Sequence, residues 1–252
     1  MRRFSIWSIL GCLLIGVGGA RAAEKDDALA ILNTAIKAHG GADRLEKATQ
    51  MLRKGSGTVT LFDTDSAIAD ELLVSLPDRL RLTIEIAGPD KKQKVRAIVV
   101  ANKDKGWQEN GGAVDELSEA RLSELHEEAR VQYVSLLFPL ARKDAAYDLT
   151  LLKDVKIDGR GAVGVKASLK GHPDISLIFD KENALLSKVA LKTKEGGVEV
   201  DKEYLFSEHK EVDGAKLPMH IAIKLNGKKY IDLKVDSYKL LSKVDETEFG
   251  KP

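Results

Sequence analysis

At 252 residues, with 40 basic and 39 acidic side chains, the chain carries a formal net charge of +1, and its charges are interspersed. That balance excludes a nucleic-acid footprint, which would show as a basic stripe with interleaved aromatics. The single cysteine, Cys12, excludes a disulfide framework and a cysteine-based metal site.

The first segment reads as an export signal. Arg2 and Arg3 open it, residues 6–17 are mostly apolar, and Ala20-Arg21-Ala22 before Ala23 forms an A-x-A cleavage site. The apolar run is short for a membrane span, which needs about 20 residues. Gly16, Gly18 and Gly19 also interrupt its end, which argues against an uncleaved anchor. Acylation at Cys12, after Leu10-Gly11, would leave a very short apolar core upstream. The expected product is one domain over 23–252, periplasmic or secreted after residues 1–22 are removed. Its charge is −2, from 37 basic and 39 acidic residues, and it keeps no thiol.

The mature domain opens on a helix, with Ala28, Ile31, Leu32, Ala35, Ile36 and His39 at helical spacing and Gly40-Gly41 as its stop. A short second helix is expected over about 43–48. From Lys54 the period changes to two: Val59 and Leu61 alternate with Thr58, Thr60 and Phe62. Leu80, Leu82, Ile84 and Ile86 alternate with Arg79, Arg81, Thr83 and Glu85, the mark of a sheet with one buried and one wet face. Pro77-Asp78 and Gly88-Pro89-Asp90 supply its flanking turns. Another strand over 94–101 leads through a charged turn to Trp107. Ser118 then caps a helix carrying Leu122, Leu125, Ala129 and Tyr133 on one stripe. That helix ends in the apolar run Val134-Ser135-Leu136-Leu137-Phe138, before Pro139. After Tyr147 the sheet resumes, with turns at Asp158-Gly159, Asp180-Lys181-Glu182-Asn183, Asp213-Gly214 and Asn226-Gly227. The last hairpin sets Met219, Ile221, Ile223 and Leu225 opposite Ile231, Leu233 and Val235. These elements predict an α+β domain, mostly antiparallel β, of about ten strands in one continuous meander.

No catalytic constellation emerges. Gly159-Arg160-Gly161-Ala162-Val163-Gly164 matches a dinucleotide fingerprint, but the residues after it alternate as a strand, and phosphate binding needs a helix there. His39, His126, His172, His209 and His220 lack metal-ligand spacing. No G-x-S-x-G elbow occurs. Glu127-Glu128 diverge on adjacent helical positions, and Asp63-Thr64-Asp65 lacks the rest of a calcium loop. No cofactor is expected. On the residues alone, two functions stay open: a packed β module that docks an envelope protein, and a hydrolase with dispersed residues.

Three stretches carry a resemblance: Ala38-His39-Gly40-Gly41-Ala42 with Leu45, the hairpin from Leu177-Ile178-Phe179-Asp180 to Leu185-Leu186-Ser187-Lys188-Val189, and Val212-Asp213-Gly214-Ala215-Lys216-Leu217-Pro218. Together with the helix-interrupted meander they resemble the LolA family of periplasmic lipoprotein carriers, whose fold is shared with the RseB sensor and mycobacterial lipid-carrying lipoproteins. The resemblance implies a strongly curved half-barrel whose concave face is apolar and covered by the N-terminal and mid-chain helices. It implies a third and leading function, a noncatalytic lipid carrier or sensor, with lipid or lipoprotein acyl chains as partners, besides envelope proteins. No site residue transfers by identity. The candidate cavity or plug residues are Leu82, Ile84, Trp107, Leu136, Leu137, Phe138, Leu177 and Phe179.

Overall fold

The computed structural model describes residues 17–252 apart from 89–92, 143–144, 154 and 158, and only the backbone of 17–23. Helix α1 (Val17–Ala38) and the short α2 (Ala42–Lys47) precede six strands: β1 (Gln50–Leu61), β2 (Thr64–Ser75), β3 (Arg79–Ala87), β4 (Lys94–Asn102), β5 (Lys105–Asn110) and β6 (Ala113–Glu116). Helices α3 (Glu119–Ser135) and α4 (Phe138–Ala141) follow. The chain returns to strands in β7 (Asp148–Leu152), β8 (Lys156–Ile157), β9 (Arg160–Ser168), β10 (Ile175–Asp180), β11 (Leu186–Glu195) and β12 (Val198–Ser207). The strands β13 (Lys210–Val212), β14 (Ala215–Leu217), β15 (His220–Leu225) and β16 (Lys228–Leu240) complete it. Of the expected export segment 1–22, residues 1–16 lie outside the described residues, as do Pro89, Asp90 and Asp158 of two expected turns, while 17–22 fall in α1.

The sheet is open, and its order is β6-β5-β4-β3-β2-β1-β16-β15-β12-β11-β10-β9-β7, with β8 paired to β9. The expected single meander is therefore corrected. The last long strand, β16, pairs antiparallel with the first, β1, so the chain's two halves meet mid-sheet and the edges are mid-chain strands. Strands also outnumber the ten expected, because short pieces such as β6, β8, β13 and β14 are too brief to show a period. This order dictates where α3 lies. To pass from edge strand β6 to edge strand β7 the chain must cross the sheet, and α3 crosses the concave face, touching β3 and β4 on one side and β11 on the other. Helix α1 packs on β7 and β9, covering the far end of the same face.

Curvature has a local cause at the β1–β16 seam. The pairing shifts register between Lys54 and Gly55. A Cβ on Gly57 would stand 1.9 Å from the Asp232 carbonyl oxygen, so only glycine lets the two backbones approach this closely. Strand β1 also begins at Gln50, four residues before Lys54, because Met51 and Arg53 already face the concave side beside Val74 and Leu72.

The opposite face of β3–β5 is dry too. Ile98, Val100 and Trp107 pack there with Val244 and Phe249 of the C-terminal segment. Arg79 donates to Glu246 Oε1 at 3.0 Å, and Arg81 to the Glu248 carbonyl at 3.1 Å, which straps that segment down.

Candidate functional site

Beneath α3 the concave face is not filled. A cavity of about 220 Å³ lies there, floored by Ile68, Leu72, Val74, Leu80, Leu82 and Ile84 of β2–β3 and by Ile221, Ile223, Ile231 and Leu233 of β15–β16. Leu125 and Val131 of α3 form its roof. Strict alternation builds the floor: Leu72 faces Leu82 and Val74 faces Leu80 across the β2–β3 ladder, with their neighbours pointing away.

Two charged groups interrupt this apolar floor. Arg53 donates through its Nη2 to Asp70 Oδ2, and both side chains are 9% exposed. Burial pushes the Asp70 carboxyl up from its ordinary value, and the Arg53 charge only partly counters it. Among the described residues, Arg53 Nε and Asp70 Oδ1 are buried and have no hydrogen-bond partner.

The roof is latched along one flank. The Glu124 carboxylate accepts from the backbone N–H groups of Gly196 (3.2 Å) and Gly197 (2.7 Å), which the β11–β12 turn presents because both glycines adopt positive φ. Lys202 donates to Glu128 at 3.1 Å and to Glu195 at 2.7 Å, and the Tyr204 hydroxyl donates to Glu128 as well. Burial alone would raise Glu128, but the Lys202 charge and these hydrogen bonds hold its carboxyl below the ordinary range. Further along, Arg130 donates to the Pro173 carbonyl at 2.8 Å.

The expected site residues separate. Leu82 and Ile84 line the cavity. Trp107 does not, since it pairs with Val100 and faces the C-terminal segment on the other side of the sheet. Leu177 and Phe179 are fully buried in the main core, away from the opening. Leu137 and Phe138 belong to that core too, with Phe138 edge-on to Tyr133. Leu136 borders a second, smaller cavity of about 60 Å³. Sequence reasoning missed Arg53, Asp70, Glu124, Glu128, Lys202 and Tyr204. The first two left one signal: each is a charge on the apolar phase of its strand, Arg53 two residues from Met51 and Asp70 between Ile68 and Leu72.

The three stretches that carried the resemblance converge on His39 at the smaller cavity. His39 Nδ1 donates to the Ala35 carbonyl at 2.8 Å, and its Nε2 accepts from Leu186 N–H at 3.3 Å, which fixes a neutral tautomer. The His39 carbonyl accepts from Lys216 N–H at 2.9 Å. Gly40 must be glycine, because its φ is +104° and a Cβ would stand 2.0 Å from the Gly214 carbonyl oxygen. Burial lowers the pKa of His39, and burial with the neighbouring His39 ring lowers His209 to about 4. Both rings bind protons more readily unfolded, so their contribution is whole above about pH 6.5 and declines as pH falls towards 4. Denaturant melts across that window are expected to show a loss that shrinks in His209→Gln; an unchanged slope would contradict the assignment.

On the convex face, Ser207 Oγ lies 3.0 Å from His220 Nδ1, and His220 Nε2 lies 2.7 Å from Asp232 Oδ1. The order is that of a serine triad, but Asp232 is half exposed and none of the three lines either cavity. Acyl transfer needs a cleft and aimed N–H donors at the nucleophile. The cluster reads as a polar cross-strand contact. Among the described residues no group of three or more His, Cys, Asp or Glu could hold a metal, and no helix is long and apolar enough to cross a membrane.

No protein-family model matches the sequence, and no curated protein matches it. Solved structures do. A domain assigned as an outer membrane lipoprotein-sorting protein from Vibrio parahaemolyticus aligns over 89% of this chain and 97% of its own, at 13% identity and TM-score 0.54. A DUF1329 family protein from Desulfovibrio piger aligns over 88% and 97%, at 12% identity and TM-score 0.54. A LolA superfamily protein from Nitrosomonas europaea aligns over 83% and 96%, at 15% identity and TM-score 0.52. At these identities the likeness is one of fold: the chain shares the open half-barrel of these three structures.

Proposed function

We propose that this chain is an exported, noncatalytic binding protein that takes acyl chains of lipids or lipoproteins into the trough beneath α3. One observation carries the reading: a helix crosses the concave sheet without filling it, and leaves a space of about 220 Å³ whose floor is mainly aliphatic, with charged and polar groups along the α3 flank. Ligand pockets run roughly 300–1,000 Å³, so uptake requires the roof to lift. Two kinds of contact hold α3 and would have to give: the polar contacts of Glu124, Glu128 and Arg130 at the flank, which water can replace, and the packing of Leu125, Ala129, Val131 and Val134, which an acyl chain could replace. The signal-like segment over residues 2–22 supports export to the cell envelope, where acyl chains need shelter from water, each buried CH₂ being worth about 0.8 kcal/mol.

Protein purified from the envelope tests both parts. Its intact mass is expected to begin at Ala23 or Glu24, and its organic extract to contain lipid in proportion to protein. Retained Met1 or an acylated Cys12 would overturn the processing. An extract free of lipid would favour a module that docks a protein partner.

A further inference from the structure

Resting on the carrier reading, the pair in the floor points to what the acyl chain carries. Arg53 and Asp70 sit among the aliphatic side chains of the β2–β3 floor, on neighbouring strands and one diagonal step apart, since Arg53 faces Leu72 in the ladder. Lys202 and Arg121, which also line the cavity, are already paired with Glu128, Glu195 and Glu124 at the flank. A pair serving only to join two strands would have its remaining valences filled by neighbours, because every open one costs free energy when buried. Here one donor, Arg53 Nε–H, and one acceptor, Asp70 Oδ1, remain open while both side chains are more than nine-tenths buried. Nearby groups do not fill them: the Tyr238 hydroxyl is committed to the Pro218 carbonyl at 2.8 Å. The glycine directly opposite Asp70, Gly55, brings no side chain of its own, and a Cβ there would crowd Asp70 Oδ1 at 3.0 Å.

We propose that Arg53 and Asp70 form a polar anchor for a neutral amphiphile whose head both donates and accepts a hydrogen bond, a hydroxyl or an amide beside the acyl chain. The two charges already neutralise each other. A carboxylate or phosphate brought against them would be a third buried charge without a partner, facing Asp70. A plain ester accepts but cannot donate, and leaves Asp70 Oδ1 as it was. A hydroxyl or amide answers both open atoms at once. Glycerol monoesters and N-acyl amides share this chemistry.

The test is a displacement titration of three amphiphiles of one chain length, a monoacylglycerol, a fatty acid anion and a fatty acid methyl ester. It uses the mature protein and the Arg53→Met/Asp70→Leu double variant, which removes both charges and leaves neither unpaired. The wild type is expected to bind the monoacylglycerol about tenfold more tightly than the methyl ester. The double variant should keep the ester and lose the preference. Equal affinities on the wild type, a preference for the anion, or a preference that survives in the double variant would each overturn the anchor. Because the series on the wild type decides by itself, a variant that fails to fold does not rescue the proposal. Failure to bind any of the three would instead overturn the carrier reading on which this one rests.

Discussion

Arg53→Met is expected to destabilise the protein by about 3–5 kcal/mol at neutral pH, because it leaves Asp70 ionised and unpaired inside the floor of the trough. The loss should depend on pH in a definite direction. Burial already raises the Asp70 carboxyl, and removing the Arg53 charge raises it further. A carboxyl raised in the folded state is stabilising below its unfolded value and costs stability once pH climbs through its folded value. Relative to wild type, the variant should therefore recover as pH falls from neutral towards about 4. Arg53→Met/Asp70→Leu should stay within about 1.5 kcal/mol of wild type throughout, since both charges go together. Denaturant melts of the three proteins at pH 7 and pH 5 measure this. A loss below about 1 kcal/mol in the single variant would mean that water reaches the pair.

Phe138→Ala should cost a similar amount, about 3–5 kcal/mol, since the ring is only 5% exposed and packs edge-on against Tyr133. Its second readout separates a core residue from a displaceable plug. The ring sits in the main core and does not line the cavity under α3, so acyl-probe affinity should stay level as stability falls. Tighter probe binding in the variant would show that the Leu136–Phe138 run competes with ligand for the trough. A small loss of stability would contradict the packing itself.

Why some features could be read from the residues and others could not follows from the range of the forces involved. Period-two alternation is local, so β3, β9 and the last hairpin stand where the pattern put them, and Ser118 caps α3 as expected, accepting from Arg121 N–H at 3.3 Å. Positive φ at Asn226-Gly227 and Asp213-Gly214 is equally local. The β1–β16 pairing is not, since it joins residues such as Val59 and Ile231 across the whole length of the chain with no turn to announce it. Trp107 was misplaced for a related reason. Its strand neighbour β4 reads Ile98-Val99-Val100-Ala101, apolar on both phases, and a strand like that is covered on both faces. Nothing local says that Val244 and Phe249 supply the second cover. The polar anchor and the Glu124 latch depend on which side chains meet across strands and helices, and spacing does not encode that.

A titration with a fluorescent monoacylglycerol tests most directly whether the space under α3 receives acyl chains, when wild type is set beside Ile84→Trp. Ile84 is a half-buried part of the floor, so an indole there fills the trough while leaving the β2–β3 ladder intact. Saturable binding to wild type is expected, weakened about tenfold or more in the variant, with closely similar denaturant melts. No saturable binding to wild type, or equal binding to both proteins, would contradict the account.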